Sequence, residues 1–218
     1  MTNDQLKHMR LKWVRHFSDD GVSILAWSFV PRHALSGILA GTQSLVKVGL
    51  AEPEFRDAYA WMRSQMLQVG IEQPSEVCTP WWCWIQFGGG YGKPTTEGSG
   101  PDCVLLELRI PIDEVLLSDF DLWHFVLNYS YAAFTECEDD AFDARLRSAG
   151  ITSASCQPYP EPFHLEMELS WRNIFDLGVE SDYATYSFED KAIQGVFWNL
   201  DPSYIVGIVE PNEAPERD

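Results

Sequence analysis

Leu116-Leu117-Ser118-Asp119-Phe120-Asp121-Leu122-Trp123-His124-Phe125-Val126-Leu127-Asn128 decides how this chain is read. The run opens as the end of an apolar strand. It then turns helical. Ser118 is the expected N-cap, with Asp119 and Asp121 in the first turn, where a carboxylate interacts favourably with the helix dipole. It closes on a cluster of aromatic and polar side chains, with His124 three residues after Asp121.

Strand and helix patterns alternate on both sides of this run. Ser23 to Val30 is rich in strand formers and stops at Pro31. His33 to Leu39 reads as a short helix closed by Gly41. Glu52 to Val69 reads as the clearest helix. Pro53 suits its first turn, Phe55, Tyr59, Met62, Met66 and Val69 form one face, and Gly70 suits its stop. Thr79 to Phe87, dense in tryptophan, reads as a buried strand or an aromatic-lined pocket. Gly88 to Gly100 is glycine-rich and reads as a mobile loop.

Val104, Leu106, Leu108 and Ile110 alternate with Leu105, Glu107 and Arg109, the pattern of a strand with one better-buried face. Glu136 to Asp143 is an acidic run, expected in an exposed loop, and Ser148 to Pro162 is a second loop. Leu169 to Leu177 reads as a short helix, and Ile193 to Leu200 and Tyr204 to Val209 as final strands. Helices and strands are intermixed, so the expected class is α+β. We expect a basic helix or arm over 1–20, one mixed domain over 21–210 and a charged tail over 211–218.

At 218 residues and 45% hydrophobic content the chain can bury a real core. No apolar run reaches the roughly 20 residues of a membrane span, and Met1 to Phe17 lacks the apolar core of a signal peptide. Cys78, Cys83, Cys103, Cys137 and Cys156 are odd in number and form no CxxC pair. This argues against a disulfide framework and against zinc, and for reduced thiols in a cytoplasm. The net charge is −18, although Lys7, Arg10, Lys12 and Arg15 outweigh Asp4 near the N-terminus. Such a surface repels nucleic acid and anionic lipid and attracts a basic protein.

Candidate chemistry is sparse. Asp121 and His124 lie on one helical face if their run is helical, and with Asp119 could form an acid–base or metal group. The same residues suit capping and a half-buried histidine. Cys83 and Cys103 have no histidine placed beside them by sequence, and neither a G-x-S-x-G turn nor a phosphate loop is present.

Three blocks carry a resemblance: Leu116 to Asn128; Ser170-Trp171-Arg172-Asn173-Ile174-Phe175-Asp176; and Ile193-Gln194-Gly195-Val196-Phe197-Trp198-Asn199-Leu200 followed by Ile205. With looser similarity over Ala26 to Gly41, Phe55 to Met66 and Pro80 to Phe87, the chain resembles a family of small bacterial proteins catalogued as domain of unknown function 3841. The resemblance implies a basic residue soon after Lys93-Pro94, where this chain has Thr95-Thr96-Glu97. The order of elements is also similar to the ADP-ribosyltransferase fold, which implies an ADP-ribosyltransferase-like core with Ser28, Gly41 and Gln194 in the comparable places. Gln194 stands where a catalytic carboxylate is implied, and an amide neither accepts a proton nor carries the charge.

Two functional expectations follow. The first is an acidic cytoplasmic binding protein of immunity or antitoxin type, without a cofactor. It would neutralise a basic protein partner, a toxin for example, through Phe134, Glu136, Glu138, Asp139, Asp140 and Asp143, with Phe142 as a further apolar anchor. The second is an NAD-handling transferase-like enzyme. Its ligand pocket would gather Trp27, Ser28, Trp81, Trp82, Trp84 and Gln194, with Gln194, His124 and Asp121 as catalytic candidates.

Overall fold

The strand-to-helix handover falls one residue later than the sequence suggests. In the computed structural model, which describes residues 1–47, 53–74, 78–87, 92–95, 102–152, 158–183 and 187–210, the strand β6 spans Leu116–Asp119 and the helix α4 spans Phe120–Leu127. Asp119, not Ser118, is the N-cap: its Oδ1 accepts from the backbone N–H groups of Asp121 and Leu122 at 3.0 and 3.1 Å. Ser118 lies inside the strand, paired with Gln194.

The remaining elements, in chain order, are α1 (Asn3–His16), β1 (Ser23–Pro31), α2 (Arg32–Leu39), β2 (Val46–Lys47), α3 (Arg56–Gln68), β3 (Cys78–Thr79), β4 (Trp81–Gln86), β5 (Cys103–Pro111), α5 (Glu136–Ser148), α6 (Phe163–Ser170), β7 (Ile193–Phe197) and β8 (Ile205–Val209). Helices and strands form one mixed α+β domain around a six-stranded antiparallel sheet in the order β6-β7-β4-β1-β5-β8. β2 and β3 make a separate two-stranded ladder.

The pairing within the sheet is uneven. β1 and β5 are in register from Ser23↔Pro111 to Pro31↔Cys103, whereas β1 and β4 share the pair Trp27↔Trp84. The sheet is therefore two three-stranded halves, β6-β7-β4 and β1-β5-β8, hinged at two tryptophans. A register shift lies beside this junction on each side, at Trp84/Gln86 and at Glu107/Leu108.

Each face of the sheet carries its own core. On one face Leu116, Val196 and Trp82 pack with Met62 and Met66 of α3, Leu122, Trp123 and Val126 of α4, and Trp171. On the other, Ile24, Ala26, Val30, Cys83, Ile85, Leu106, Leu108 and Phe197 pack with Trp13 and Val14 of α1 and with Ala34 and Ile38 of α2. α1 serves both, since Leu6 belongs to the first core. Arg10, buried in the same helix, donates to the carbonyls of Val115 at 2.9 Å and Ile112 at 2.7 Å, which fixes α1 to the sheet beside β6. Burial holds the Arg10 pKa below its ordinary value, with the Asp113 charge acting the other way.

Several local expectations change. Glu136 to Asp143 is not a loop but the first half of α5, started by a capping box between Thr135 and Glu138. Phe142 is no exposed anchor; it is buried and stacks on Tyr131 with ring centroids 4.4 Å apart. Leu169 to Leu177 is split: α6 ends at Ser170 and a 3-10 turn runs from Trp171 to Phe175. The glycine-rich stretch lies outside the described residues except for 92–95, as do Cys156 and the tail over 211–218.

Candidate functional site

The register places five side chains in one row across a single face of the sheet. Ser118 pairs with Gln194, Gln194 with Trp84, Trp84 with Trp27, and Trp27 with Glu107. Paired residues in an antiparallel sheet point to the same face, with Cβ atoms roughly 5 Å apart. The row therefore crosses the hinge between the two half-sheets.

Three of its polar side chains are buried. Ser118, Gln194 and Trp27 are 0%, 5% and 7% exposed. The Ser118 Oγ, Gln194 Nε2 and Trp27 Nε1 atoms have no hydrogen-bond partner among the described residues. A buried donor without an acceptor costs on the order of 1–3 kcal/mol, so three on one row call for an acceptor that the described residues do not provide.

The row ends where the helical cover of this face ends. Trp84 is half-buried; its ring meets Phe120 edge-on at 4.7 Å and Phe87 at 4.8 Å between centroids. Beyond Trp27, the same face presents half-buried Leu25, Phe29 and Glu107 and exposed Arg109. Lys93 Nζ lies 3.6 Å from the Glu107 carboxylate. The arrangement offers hydrogen-bond donors at one end, an indole wall in the middle and a carboxylate at the other end.

The strand alternation divides the expected pocket. Trp27, Trp84 and Gln194 share the row. Trp82 is on the same face but packs into the core, edge-on to Tyr59 and tilted on Trp123. Trp81 belongs to the opposite face, where its Nε1 donates to the Ser44 carbonyl at 2.8 Å. Ser28, also on that face, donates to the Trp82 carbonyl at 2.8 Å. Trp81 and Ser28 are therefore not part of a common pocket with Gln194. Ser118 and Glu107 complete the row instead. Ser118 was legible only as a cap, and the alternation of β5 made Glu107 an outward residue without saying what it faces.

The remaining candidates are placed as follows. Asp121 is half-buried in the first turn of α4, and burial with the nearby Asp119 charge raises its pKa. His124 is exposed, with Nδ1 3.0 Å from the Phe120 carbonyl and its ring edge-on to Phe120. Among the acidic residues of α5, Glu138 accepts from the Phe134 and Thr135 N–H groups, Asp139 accepts from the Tyr183 hydroxyl at 2.9 Å, and Asp143 pairs with Arg147. Glu136 and Asp140 are exposed, and Phe134 is partly buried against the core. No group of three or more metal-ligating side chains occurs among the described residues, and no helix among them is long and apolar enough to cross a membrane.

The other resembling block is explained by the fold. The Ser170 hydroxyl accepts from the Ala132 N–H, Trp171 Nε1 donates to Ser130 O, and Asn173 Nδ2 donates to Ala132 O, all within 2.9 Å. Arg172 ties three segments together, donating to Met1 O, to Asn3 Oδ1 and to the side-chain oxygens of Gln65 and Gln68. No curated protein and no solved structure matches this chain. A family model does match it, over residues 36–206, which takes in β4, β5, β6 and β7; β1, with Trp27, lies before the matched span. The chain belongs to the family described as Domain of unknown function (DUF3841).

Proposed function

We propose that the row from Ser118 to Glu107 binds a flat ligand that carries a carbonyl or carboxamide, and that NAD, through its nicotinamide end, is the ligand class. One observation carries this: Ser118 Oγ, Gln194 Nε2 and Trp27 Nε1 are buried on one face without partners among the described residues, beside a half-exposed indole. A carboxamide oxygen supplies an acceptor for the neighbouring Ser118 Oγ and Gln194 Nε2, and Ser118 Oγ can also accept from the amide N–H; Trp27 Nε1, two strands from Gln194, would take a second acceptor on the ligand. The nicotinamide ring is planar and cationic, which suits the face of Trp84. Glu107 is the carboxylate of the row and the natural acceptor for a ribose hydroxyl. Gln194 can orient the ligand but cannot act as a base, so the reading commits to binding.

The test is a titration of NAD and of free nicotinamide by calorimetry and indole fluorescence. Expected is binding at about 1 mM or tighter, weakened at least tenfold in both Gln194→Ala and Trp84→Leu. Absence of binding by both compounds would sink the proposal.

A second reading is favoured by the outer face of α5. We infer from the exposed Glu136 and Asp140, one helical turn apart on a chain of net charge −18, that this face can meet a basic protein partner and neutralise it. Such an association should slow steeply as salt rises, and Glu136→Gln with Asp140→Asn should slow it further. A salt-independent rate would remove this reading.

A further inference from the structure

A second cavity lies away from the row, between α3, α6 and the turn after α4. Its volume is about 400 Å³, within the range of small-molecule pockets, and it is lined by Asp57, Tyr129, Pro158, His164, Glu168 and Trp171. Among the described residues, the lining contains no lysine or arginine. Two carboxylates come from separate helices, Asp57 from α3 and Glu168 from α6. The Tyr129 hydroxyl donates to Asp57 Oδ2 at 2.6 Å, and His164 Nε2 lies 3.5 Å from Glu168 Oε1. Each contact engages one carboxylate oxygen.

Between the acids the wall is aromatic. Tyr129 and Trp171 meet edge-on with centroids 5.9 Å apart, and the Trp171 indole is held by its bond to Ser130 O. Tyr129 sits at φ +52°, a left-handed conformation that an aromatic side chain adopts only when its surroundings impose it. That backbone accompanies a phenol set between Asp57 and Trp171.

We propose that this cavity binds a small aliphatic diamine, one ammonium at Asp57 and the other at Glu168, with the methylene stem along Tyr129, Trp171 and Pro158. Two like charges from separate helices, in one cavity that also has apolar and aromatic lining, match a two-ended cation with an apolar middle. A monoamine satisfies one end only. A metal ion is a poorer match, because the aromatic wall adds to the two carboxylates only the Tyr129 hydroxyl, which donates to Asp57. The guanidinium of a partner's arginine would fill one end and leave the second carboxylate unpaired.

The test is calorimetric titration of the full chain with putrescine, butylamine and N-acetyl-arginine methyl ester, whose one cation is the guanidinium, at low salt. Expected is putrescine binding at about 1 mM or tighter, with butylamine and the arginine ester at least tenfold weaker. Asp57→Asn and Glu168→Gln should each weaken putrescine at least tenfold. Asp57 is exposed and Glu168 half-buried, and circular dichroism of the variants confirms the fold. Equal binding of butylamine, stronger binding of the arginine ester, no effect of either substitution, or no heat with putrescine would each overturn the proposal. The result is independent of NAD binding, since none of these residues belongs to the row.

Discussion

The Lys191 ammonium lies 2.8 Å from the Asp119 carboxylate, and both side chains are withdrawn from solvent. The pair joins three segments. Asp119 Oδ1 caps α4, its Oδ2 accepts from Lys191, and Lys191 also donates to the Val179 carbonyl at 2.8 Å. Gln86 draws in the same segment by donating to the Lys191 and Glu189 carbonyls at 2.7 and 2.8 Å. The start of β7 is thus fixed against the end of β6, which sets the Ser118–Gln194 register.

Breaking a buried pair on one side leaves the other charge without compensation, at a cost of about 3–5 kcal/mol. Asp119→Ala should lose that amount and a cap as well, and Lys191→Met a similar amount. The double replacement Asp119→Ala, Lys191→Met should be less destabilised than the sum of the singles, because no buried charge remains. Urea unfolding of the four proteins measures this. Additive losses would show that the two groups do not act as a pair.

Ser118 provides the contrasting case. As an N-cap it would contribute about 1 kcal/mol. In the structure its hydroxyl is buried in β6 and makes no hydrogen bond among the described residues. Ser118→Ala removes an unsatisfied polar group, so stability should be unchanged or higher by up to about 1 kcal/mol. Binding at the row should fall in the same variant. A loss of about 1 kcal/mol or more on unfolding would restore the capping role.

The contrast between Asp119 and Ser118 shows what local sequence carries. Alternation in β5, the glycine stops at Gly41 and Gly70 with φ of +68° and +88°, and the α3 stripe were all legible, because each is set by neighbours within a few residues. The cap was misplaced by one residue because Ser118 and Asp119 are both good caps, and the choice is made by Lys191, far along the chain. The acidic run was read as a loop for a related reason: charge marks exposure, whereas the capping box of Thr135 and Glu138 marks a helix. The site was half legible. Gln194, Trp84 and Trp27 are identifiable from sequence, but strand order and register decide that they meet Ser118 and Glu107 rather than Trp81 and Ser28.

Gly195, beside Gln194, reports on how tightly the other face of β7 is packed. A Cβ there would lie 3.0 Å from Cys83 Sγ, 3.0 Å from Val115 Cγ2 and 3.3 Å from Leu117 Cδ2. Gly195→Ala should therefore destabilise by about 1–3 kcal/mol. Adding Cys83→Ala removes the nearest sulfur and should recover part of that loss. The Cys83 thiol itself is buried, which pushes its pKa far up, so it should resist thiol reagents until the protein unfolds. A thermal unfolding comparison of the single and double variants, with a thiol-labelling time course, checks both statements. Full stability of Gly195→Ala would mean that this face is looser than the contacts indicate.

Asp20 gives the clearest dependence on pH. Its carboxylate accepts from the backbone N–H groups of Ser23 at 2.7 Å and Val22 at 2.8 Å, and from the hydroxyls of Ser23 and Ser18. These bonds, the Ser23 backbone first, hold its pKa well below the ordinary carboxylate range. In the unfolded chain the group titrates near about 3.9. A depressed folded-state pKa means the ionised form favours the native state. The contribution is complete above that pH and is lost as pH falls through about 4 towards the folded value. Asp20→Asn keeps one acceptor oxygen but no charge. Its stability deficit relative to the parent protein should be constant above about pH 5 and should narrow steadily below about pH 4. Urea midpoints of both proteins across that range decide it. A deficit that stays the same at every pH would show that the turn depends on shape alone and not on the charge of Asp20.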